Sequence, residues 1–129
     1  MSNFGRIFNT LAKEFKKTMQ NTIYHITDKT YYDAQMLNKI YYSPTFEQEK
    51  FIHLSTKKQV NSTLKNYYKG VKNLILLHIN VEKLGSKLKY EAASNGDIFP
   101  HIYGPIEREA IISFETLLPD IDGNFNWIQ

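Results

Sequence analysis

The feature that most constrains the fold is a run of apolar residues in the middle of the chain, Leu74–Ile79, interrupted only by His78. Turn-forming residues bound this run on both sides. A short apolar run of this kind predicts a strand that is covered on both faces, at the centre of a sheet. A chain of 129 residues is long enough to enclose one core around such a strand without cross-links. The sequence therefore predicts a single domain.

Composition excludes several classes of protein. The chain has no cysteine, which excludes disulfides, thiolate zinc sites and cysteine nucleophiles. Its 16 basic and 13 acidic residues give a net charge of +3, and the two signs are interleaved along most of the chain. A DNA-binding protein usually concentrates its positive charge on one face, so no DNA partner is expected. No apolar run approaches the roughly 20 residues that cross a bilayer, and no secretory signal is evident, so a cytoplasmic location is expected.

The first twenty residues have a pattern of their own. Their larger apolar residues recur at spacings of three and four, which predicts a helix with one apolar stripe. Three alternatives stay open: a helix packed on the domain, a helix on a membrane surface, or a mitochondrial presequence, which would change the location to mitochondria. We therefore divide the chain into an N-terminal amphipathic extension (1–21), a single domain (22–126) and a short tail (127–129). The stripe consists of Phe4, Ile7, Phe8, Leu11, Phe15 and Met19.

The remaining elements predict an α+β fold. A helix is expected from Asp28 to about Asn38, with Tyr31, Ala34 and Leu37 on its inner face. Residues 45–50 are expected to form a polar loop. The order of elements is β-α-β-β-α-β-β-loop-β, with the helices mostly in the first half, which excludes a doubly wound sheet. The expected strands are Thr22–Ile26, Ile40–Ser43, Phe51–Leu54, Leu74–Ile79, Lys87–Glu91 and Ala110–Leu118, and a second helix runs from Ser55 or Thr56 to Gly70.

Three histidines are followed two positions later by a hydroxyl-bearing residue. Residues two apart on a strand share a face, so each pair offers an imidazole beside a hydroxyl, which suits the binding of ribose or phosphate oxygens. The alternative is that the histidines are hydrogen-bonded structural groups, and this is the interpretation we adopt for His78. The three pairs are His25 with Thr27, His53 with Ser55, and His101 with Tyr103.

Other kinds of site have weaker support. The histidines lack the short spacings typical of zinc sites, so no metal site is predicted. The chain has no nucleophile-elbow or phosphate-binding glycine motif, and Ser55 is explained as a helix cap. Glu91 ends a strand just before the loop that leads to His101, and it is the candidate catalytic acid. The alternative for Glu91 is a surface carboxylate paired with a lysine.

Six stretches together resemble the domain-of-unknown-function family numbered 952, in order and spacing, over residues 22–126. The sequence departs from the family pattern at Lys50, where glycine is usual, at Leu54, where cysteine is frequent, and at Tyr90, where tryptophan is usual. None of these departures falls on a candidate site residue. The stretches are Ile23–Thr27, Phe51–Val60, Leu74–Leu77, Tyr90–Glu91, Phe99–Ile106 and Asp120–Phe125.

The family is similar to the ADP-ribosyltransferase superfamily, which includes tRNA 2′-phosphotransferase. This resemblance implies a small antiparallel split sheet with two helices, and a cleft between two sheets that binds NAD or a related nucleotide. It also implies that His25 contacts the ribose or the nicotinamide, that the stretch around His53 matches a phosphotransferase motif, and that Glu91 orients the attacking group. Function inferred from a fold is an analogy.

The leading interpretation is therefore a domain that binds a nucleotide or phosphate-sugar ligand and transfers an ADP-ribosyl or phosphate group. His53, His101 and Glu91 would be catalytic, and His25, Thr27, Ser55 and Tyr103 would bind the ligand. The chain has only two arginines, Arg6 and Arg108, which counts against the phosphotransferase variant because that chemistry needs several donors around phosphate. The alternatives are a non-catalytic module that binds a ligand or partner, and histidines that only stabilise the fold.

Overall fold

The computed structural model describes residues 9–13 and 21–128. Residues 9–13 are helical and exposed. The rest of the predicted N-terminal stripe lies outside the described residues. Among the described helices, none combines the length and apolar character that crossing a membrane requires.

The described strands form three antiparallel sheets. The first sheet has the order β1-β4-β8, the second sheet has the order β3-β6-β5, and a two-stranded ribbon pairs β2 with β7. This is a mixed α+β architecture, as the sequence predicts. The strands are β1 Thr22–Asp28, β2 Ile40–Tyr41, β3 Ile52–His53, β4 Leu74–Asn80, β5 Lys87–Ala92, β6 Ile98–Tyr103, β7 Ile106–Glu107 and β8 Ile111–Leu117.

The described helices are short, and side chains cap three of the helical segments, one of them the turn Val81–Lys83, where Asn80 accepts from the Glu82 N–H. The Asp28 carboxylate accepts a hydrogen bond from the Tyr31 N–H at 2.8 Å and begins the first helix. Thr56 and Gln59 form a reciprocal capping box at the segment that leads into the third helix. The helices are α1 Lys29–Ala34, α2 Phe46–Glu49 and α3 Val60–Tyr67, and 3-10 turns cover Lys57–Gln59, Val81–Lys83 and Arg108–Ala110.

The central position predicted for Leu74–Ile79 is confirmed, since β4 lies between β1 and β8. Its side chains alternate between two cores. Ile75, Leu77 and Ile79 face the core shared with the second sheet. Leu74 and Leu76 face the core beneath α3. This double coverage explains why the strand is apolar on both faces.

The backbones of the two three-stranded sheets are joined to each other by one pair of residues. Tyr24 of β1 and Ser55, just after β3, exchange two backbone hydrogen bonds of 2.9 and 2.8 Å. Ile52, Leu54 and Ile102 of the second sheet pack into the core shared with the first sheet. The second sheet is therefore covered on one face, and its other face is turned outward.

A buried polar network crosses the shared core. Nδ1 of His25 donates to the His53 carbonyl at 2.8 Å, and its Nε2 lies 2.9 Å from the Tyr41 hydroxyl. The same hydroxyl lies 3.0 Å from Oγ1 of Thr27. All three side chains are buried. Desolvation lowers the pKa of His25 from 6.5 to about 4, against the opposing effect of its bond to the His53 carbonyl, so this imidazole is neutral near pH 7.

The first helix and the following loop differ from the sequence prediction. Helix α1 ends at Ala34, so Leu37 lies beyond it and is 100% exposed, while Tyr32 is the buried residue of this helix. The segment expected to be a polar loop contains the helical turn α2. One turn of helix carries too few residues for a periodic pattern to distinguish it from a loop.

The C-terminal segment packs against the core beneath α3. Trp127 is buried there against Tyr24. The Asn61 side chain on α3 donates to the Trp127 carbonyl at 2.9 Å and accepts from the Trp127 N–H at 2.8 Å. The residue assigned from sequence to the start of the tail thus packs as part of the domain.

Helix α2 ends in a left-handed turn. Lys50 has φ +67°, and its N–H donates to the Phe46 carbonyl at 2.7 Å. A residue with a Cβ carries a steric cost in this conformation that glycine does not. Lys50 therefore occupies the turn at a cost that glycine would not carry.

Replacing Lys50 with glycine is expected to stabilise the domain by about 1 kcal/mol. Urea unfolding followed by circular dichroism measures this change. Lys50→Ala is the matched control, because it removes the same charge and side chain but keeps a Cβ. Equal stability of the two variants would show that backbone strain at residue 50 is negligible.

Buried His25 is expected to make stability depend on pH. The unfolded chain takes up a proton near pH 6.5, whereas the folded protein does so only near pH 4, so acidification favours the unfolded state. Between about pH 7 and about pH 5 the wild type should lose roughly 2 kcal/mol from this residue.

Urea unfolding of the wild type, His25→Gln and His78→Gln at both pH values isolates this contribution. The loss should shrink by roughly 2 kcal/mol in His25→Gln and persist in His78→Gln. An undiminished loss in His25→Gln would mean that His25 does not account for the acid sensitivity.

Candidate functional site

Two histidines lie opposite each other on the outward face of the second sheet. His53 of β3 and His101 of β6 are direct partners in the strand register. Their neighbours Ile52 and Ile102 point into the core, so strand alternation turns both imidazoles outward. The ring centroids are 5.0 Å apart, close enough for both rings to contact one bound group.

His101 is oriented by a carboxylate on the adjacent strand. Its Nδ1 lies 2.9 Å from Oε1 of Glu91, and the Tyr103 hydroxyl donates to the same oxygen. A carboxylate only accepts hydrogen bonds, so the neutral ring carries its proton on Nδ1. Within residues 21–128, no hydrogen bond engages the other nitrogen, Nε2.

His53 has a carboxylate partner of its own. Its Nε2 is hydrogen-bonded to Oε2 of Glu49, the last residue of α2. The His53 side chain is 54% exposed, whereas that of His101 is 13% exposed. His53 is therefore the more accessible imidazole, and in the described part of the chain its Nδ1 has no hydrogen-bond partner.

An aromatic ring covers part of His101. Phe51 stacks on this imidazole with centroids 4.3 Å apart and planes 24° apart, and it meets His53 edge-on at 4.7 Å. On the far side of the cluster, Nζ of Lys89 lies 5.1 Å from the centre of the Tyr103 ring. The cluster thus combines two imidazoles, two carboxylates, a phenol and a lysine.

Hydrogen bonding inside the cluster shifts its acidic groups. The bond from Tyr103, followed by that from His101, lowers the pKa of Glu91, and the same contact raises the pKa of Tyr103. Desolvation alone would raise the pKa of Glu49, but the hydrogen bond and charge of His53 outweigh it and lower this pKa. Both carboxylates are therefore ionised near pH 7 and can stabilise positive charge on the imidazoles.

The structure brings together only part of the predicted site. His53, His101, Glu91 and Tyr103 share the outward face. His25 and Thr27 do share a strand face, as predicted, but that face is the buried core and their common partner is Tyr41. Ser55 is also buried, and its hydroxyl lies 3.1 Å from that of Thr63 on α3.

Three residues of the cluster, Glu49, Phe51 and Lys89, were not identified from sequence. Glu49 is brought to His53 by the left-handed turn at Lys50 between α2 and β3, and the loop predicted there gave no indication of this contact. Phe51 was read only as part of an apolar strand. Its position two residues before His53, at the same spacing as the histidine–hydroxyl pairs, was the available signal.

A third histidine–glutamate pair lies elsewhere and serves as a comparison. Nε2 of His78 on β4 is bonded to Oε2 of Glu115 on β8 at 2.5 Å, and the ring contacts Tyr24 and Trp127. A histidine with a carboxylate partner is therefore not by itself a site in this chain. The outward face differs because two such pairs, His53–Glu49 and His101–Glu91, lie next to each other.

A shallow groove of about 510 Å³ opens between the two three-stranded sheets. It contains none of the predicted site residues. In the described ranges 9–13 and 21–128, no group of three histidine, aspartate or glutamate residues is arranged to hold a metal ion. The groove is lined by Asn21, Thr22, Ile23, Tyr24, Thr56, Lys57, Lys58, Val81 and Tyr90.

Comparison with known proteins places the chain in a family. The family model described as "Protein of unknown function (DUF952)" matches residues 26–114. The crystal structure of protein CC0527 from Caulobacter crescentus matches with a TM-score of 0.74 and 33% identity, covering 81% of this chain and 93% of that chain. The solution NMR structure of CC0527 gives a TM-score of 0.69 at 34% identity, covering 80% and 90%. No curated protein matches the chain. The chain therefore belongs to the family described as "Protein of unknown function (DUF952)".

Proposed function

We propose that the outward face of the second sheet binds a nucleotide or a related phosphate-sugar ligand, and that His53 and His101 exchange protons with it. The observation that carries this proposal is the pairing of two imidazoles in register, each with its own carboxylate. Carboxylates in this position orient the rings and stabilise the imidazolium that forms during proton transfer.

The hydrogen bonds assign the reactive atoms. Since Glu91 accepts from Nδ1 of His101, the lone pair of the neutral ring is on Nε2. Since Glu49 is bonded to Nε2 of His53, the lone pair of that ring is on Nδ1. Either nitrogen removes a proton when its ring is neutral and returns one when its ring is charged.

The available cations limit the ligand. Nε of Arg108 donates to the Asn38 carbonyl at 3.0 Å, its Nη2 is bonded to the Gln35 carbonyl, and its guanidinium lies over the Tyr32 ring. This arginine is therefore committed to structure. Lys89 and the two imidazoles remain to contact phosphate or sugar oxygens of a ligand at the cluster.

In the finer form of the proposal the domain transfers an ADP-ribosyl group from NAD. The bond between nicotinamide and ribose would break, nicotinamide would leave, and an acceptor hydroxyl would bond to the ribose carbon. Oε1 of Glu91 accepts hydrogen bonds from His101 and Tyr103, so this carboxylate would hold the His101 ring in place and stabilise its positive charge. The acceptor proton would pass to Nε2 of His101. The resemblance to ADP-ribosyltransferases supports the type of reaction, but it implies a ligand in the cleft between the sheets, and the cluster lies on the outward face.

The groove between the sheets favours a second candidate function, a non-catalytic binding module. Its volume of about 510 Å³ lies in the range of small-molecule sites. The ammonium groups of Lys57 and Lys58 suit an anion, and the 55% exposed Tyr90 suits an aromatic base. A ligand there would contact none of the outward imidazoles.

Titration with NAD, ADP-ribose and a 2′-phosphorylated nucleotide, followed by NMR of the histidine side chains and of the backbone amides, tests the proposal. The ring signals of His53 and His101 should shift with ligand, and those of His25 and His78 should not. His101→Gln should weaken binding roughly tenfold, because a charge-assisted contact is lost. Release of nicotinamide from NAD would establish group transfer.

His78→Gln is the matched control, because it removes a histidine from a similar glutamate pair outside the cluster, and it should bind as the wild type does. His53→Gln provides a second cluster variant if His101→Gln folds poorly. Shifts confined to residues 56–58 and Tyr90 would favour the binding module in the groove. The absence of any shift at millimolar ligand would refute both functions.

A further inference from the structure

We propose that Glu49 and Phe51, on either side of the left-handed residue Lys50, are positioning residues that set the two imidazoles in one geometry. This inference rests on the proposed function of His53 and His101. Neither Glu49 nor Phe51 is among the residues predicted to be catalytic, and neither contacts the buried network of His25, Tyr41 and Thr27.

A single turn places both side chains. Helix α2 ends at Glu49, Lys50 reverses the chain at φ +67°, and Phe51 leads directly into β3. Glu49 is thereby returned to Nε2 of His53, while Phe51 stacks on His101. The turn at Lys50 therefore positions both contacts, that of Glu49 with His53 and that of Phe51 with His101.

The two contacts have different consequences. Glu49 occupies Nε2 of His53, so that only Nδ1 of this ring faces a ligand. Phe51 restricts the rotation of His101 by covering one face of its ring, and Glu91 fixes the ring from its edge. The imidazoles therefore offer opposite nitrogens, Nδ1 of His53 and Nε2 of His101, to a group bound between them.

This arrangement predicts the class of reaction. Two fixed nitrogens on rings 5.0 Å apart suit a step in which one neutral ring removes a proton while the other ring, as an imidazolium, donates one to the leaving group. For a phosphate ester or a glycoside, the attacking hydroxyl would lose its proton to the neutral imidazole and bond to phosphorus or to the sugar carbon. The bond from that atom to the departing oxygen would break, and this oxygen would receive a proton from the imidazolium. Proton number is conserved in that exchange.

NMR of the full chain tests the positioning roles directly. At low temperature the Nε2–H proton of His53 should be protected from exchange and observable, and the ring nitrogens should report Nε2–H for His53 and Nδ1–H for His101. Glu49→Ala should abolish the protected His53 signal. Phe51→Leu should remove the ring-current shift from the His101 ring protons, because the stacked aromatic face is lost.

Glu47→Ala is the matched control, since Glu47 lies on the same helix and carries the same charge but contacts neither histidine within the described residues. It should leave every ring signal unchanged. Glu49→Gln retains an acceptor oxygen and should restore the protected signal in part. An unprotected His53 ring in the wild type, or ring signals that Glu49→Ala and Phe51→Leu leave unchanged, would overturn the inference.

A ligand readout separates this inference from the proposed function. Glu49→Ala should weaken binding of the ligand that shifts His53 by roughly tenfold, and Glu47→Ala should not. If the ring signals behave as expected but neither NAD, ADP-ribose nor the 2′-phosphorylated nucleotide binds, the proposed function fails and the assignment of positions stands. Binding that is equal in both variants would show that Glu49 does not position His53 for the ligand.

Discussion

The structure depends on three hydrogen bonds that hold the short strand β3 against the first sheet. Tyr24 and Ser55 exchange two of them through the backbone, and the third runs from the buried His25 ring to the His53 carbonyl. β3 has only two residues, too few to define its own position. Because these bonds fix the backbone on the core side, the His53 side chain must point to the opposite side, where His101 and Glu49 meet it.

Much of the architecture follows from local sequence patterns. The run of β4 is apolar on both faces because each face meets a separate core. A strand that is covered on both faces can therefore be predicted from the sequence. The ends of short helices and strands cannot be predicted in the same way. Leu37 fits a helical spacing with Tyr31 and Ala34, yet α1 ends at Ala34 and no repeating pattern marks that end.

The candidate site shows where strand periodicity ceases to be informative. A spacing of two identifies residues on one face, and it does so correctly for His25 with Thr27 and for His101 with Tyr103. It does not state which face is buried. That depends on which strands of distant sequence pack together, so the same pattern yields a core network around Tyr41 in one case and an outward cluster around Glu91 in the other.

Buried His25 and the outward histidines His53 and His101 differ in their surroundings and in what they contribute to folding. His25 is enclosed by the core, neutral and bonded at both nitrogens, so its removal takes the partner from the His53 carbonyl and one of two partners from the Tyr41 hydroxyl. The members of the outward cluster bond mainly to one another and are partly open to water, where ion pairs contribute little to folding. The proposed proton transfer would account for a set of imidazoles and carboxylates that is held in register at so small a gain in stability.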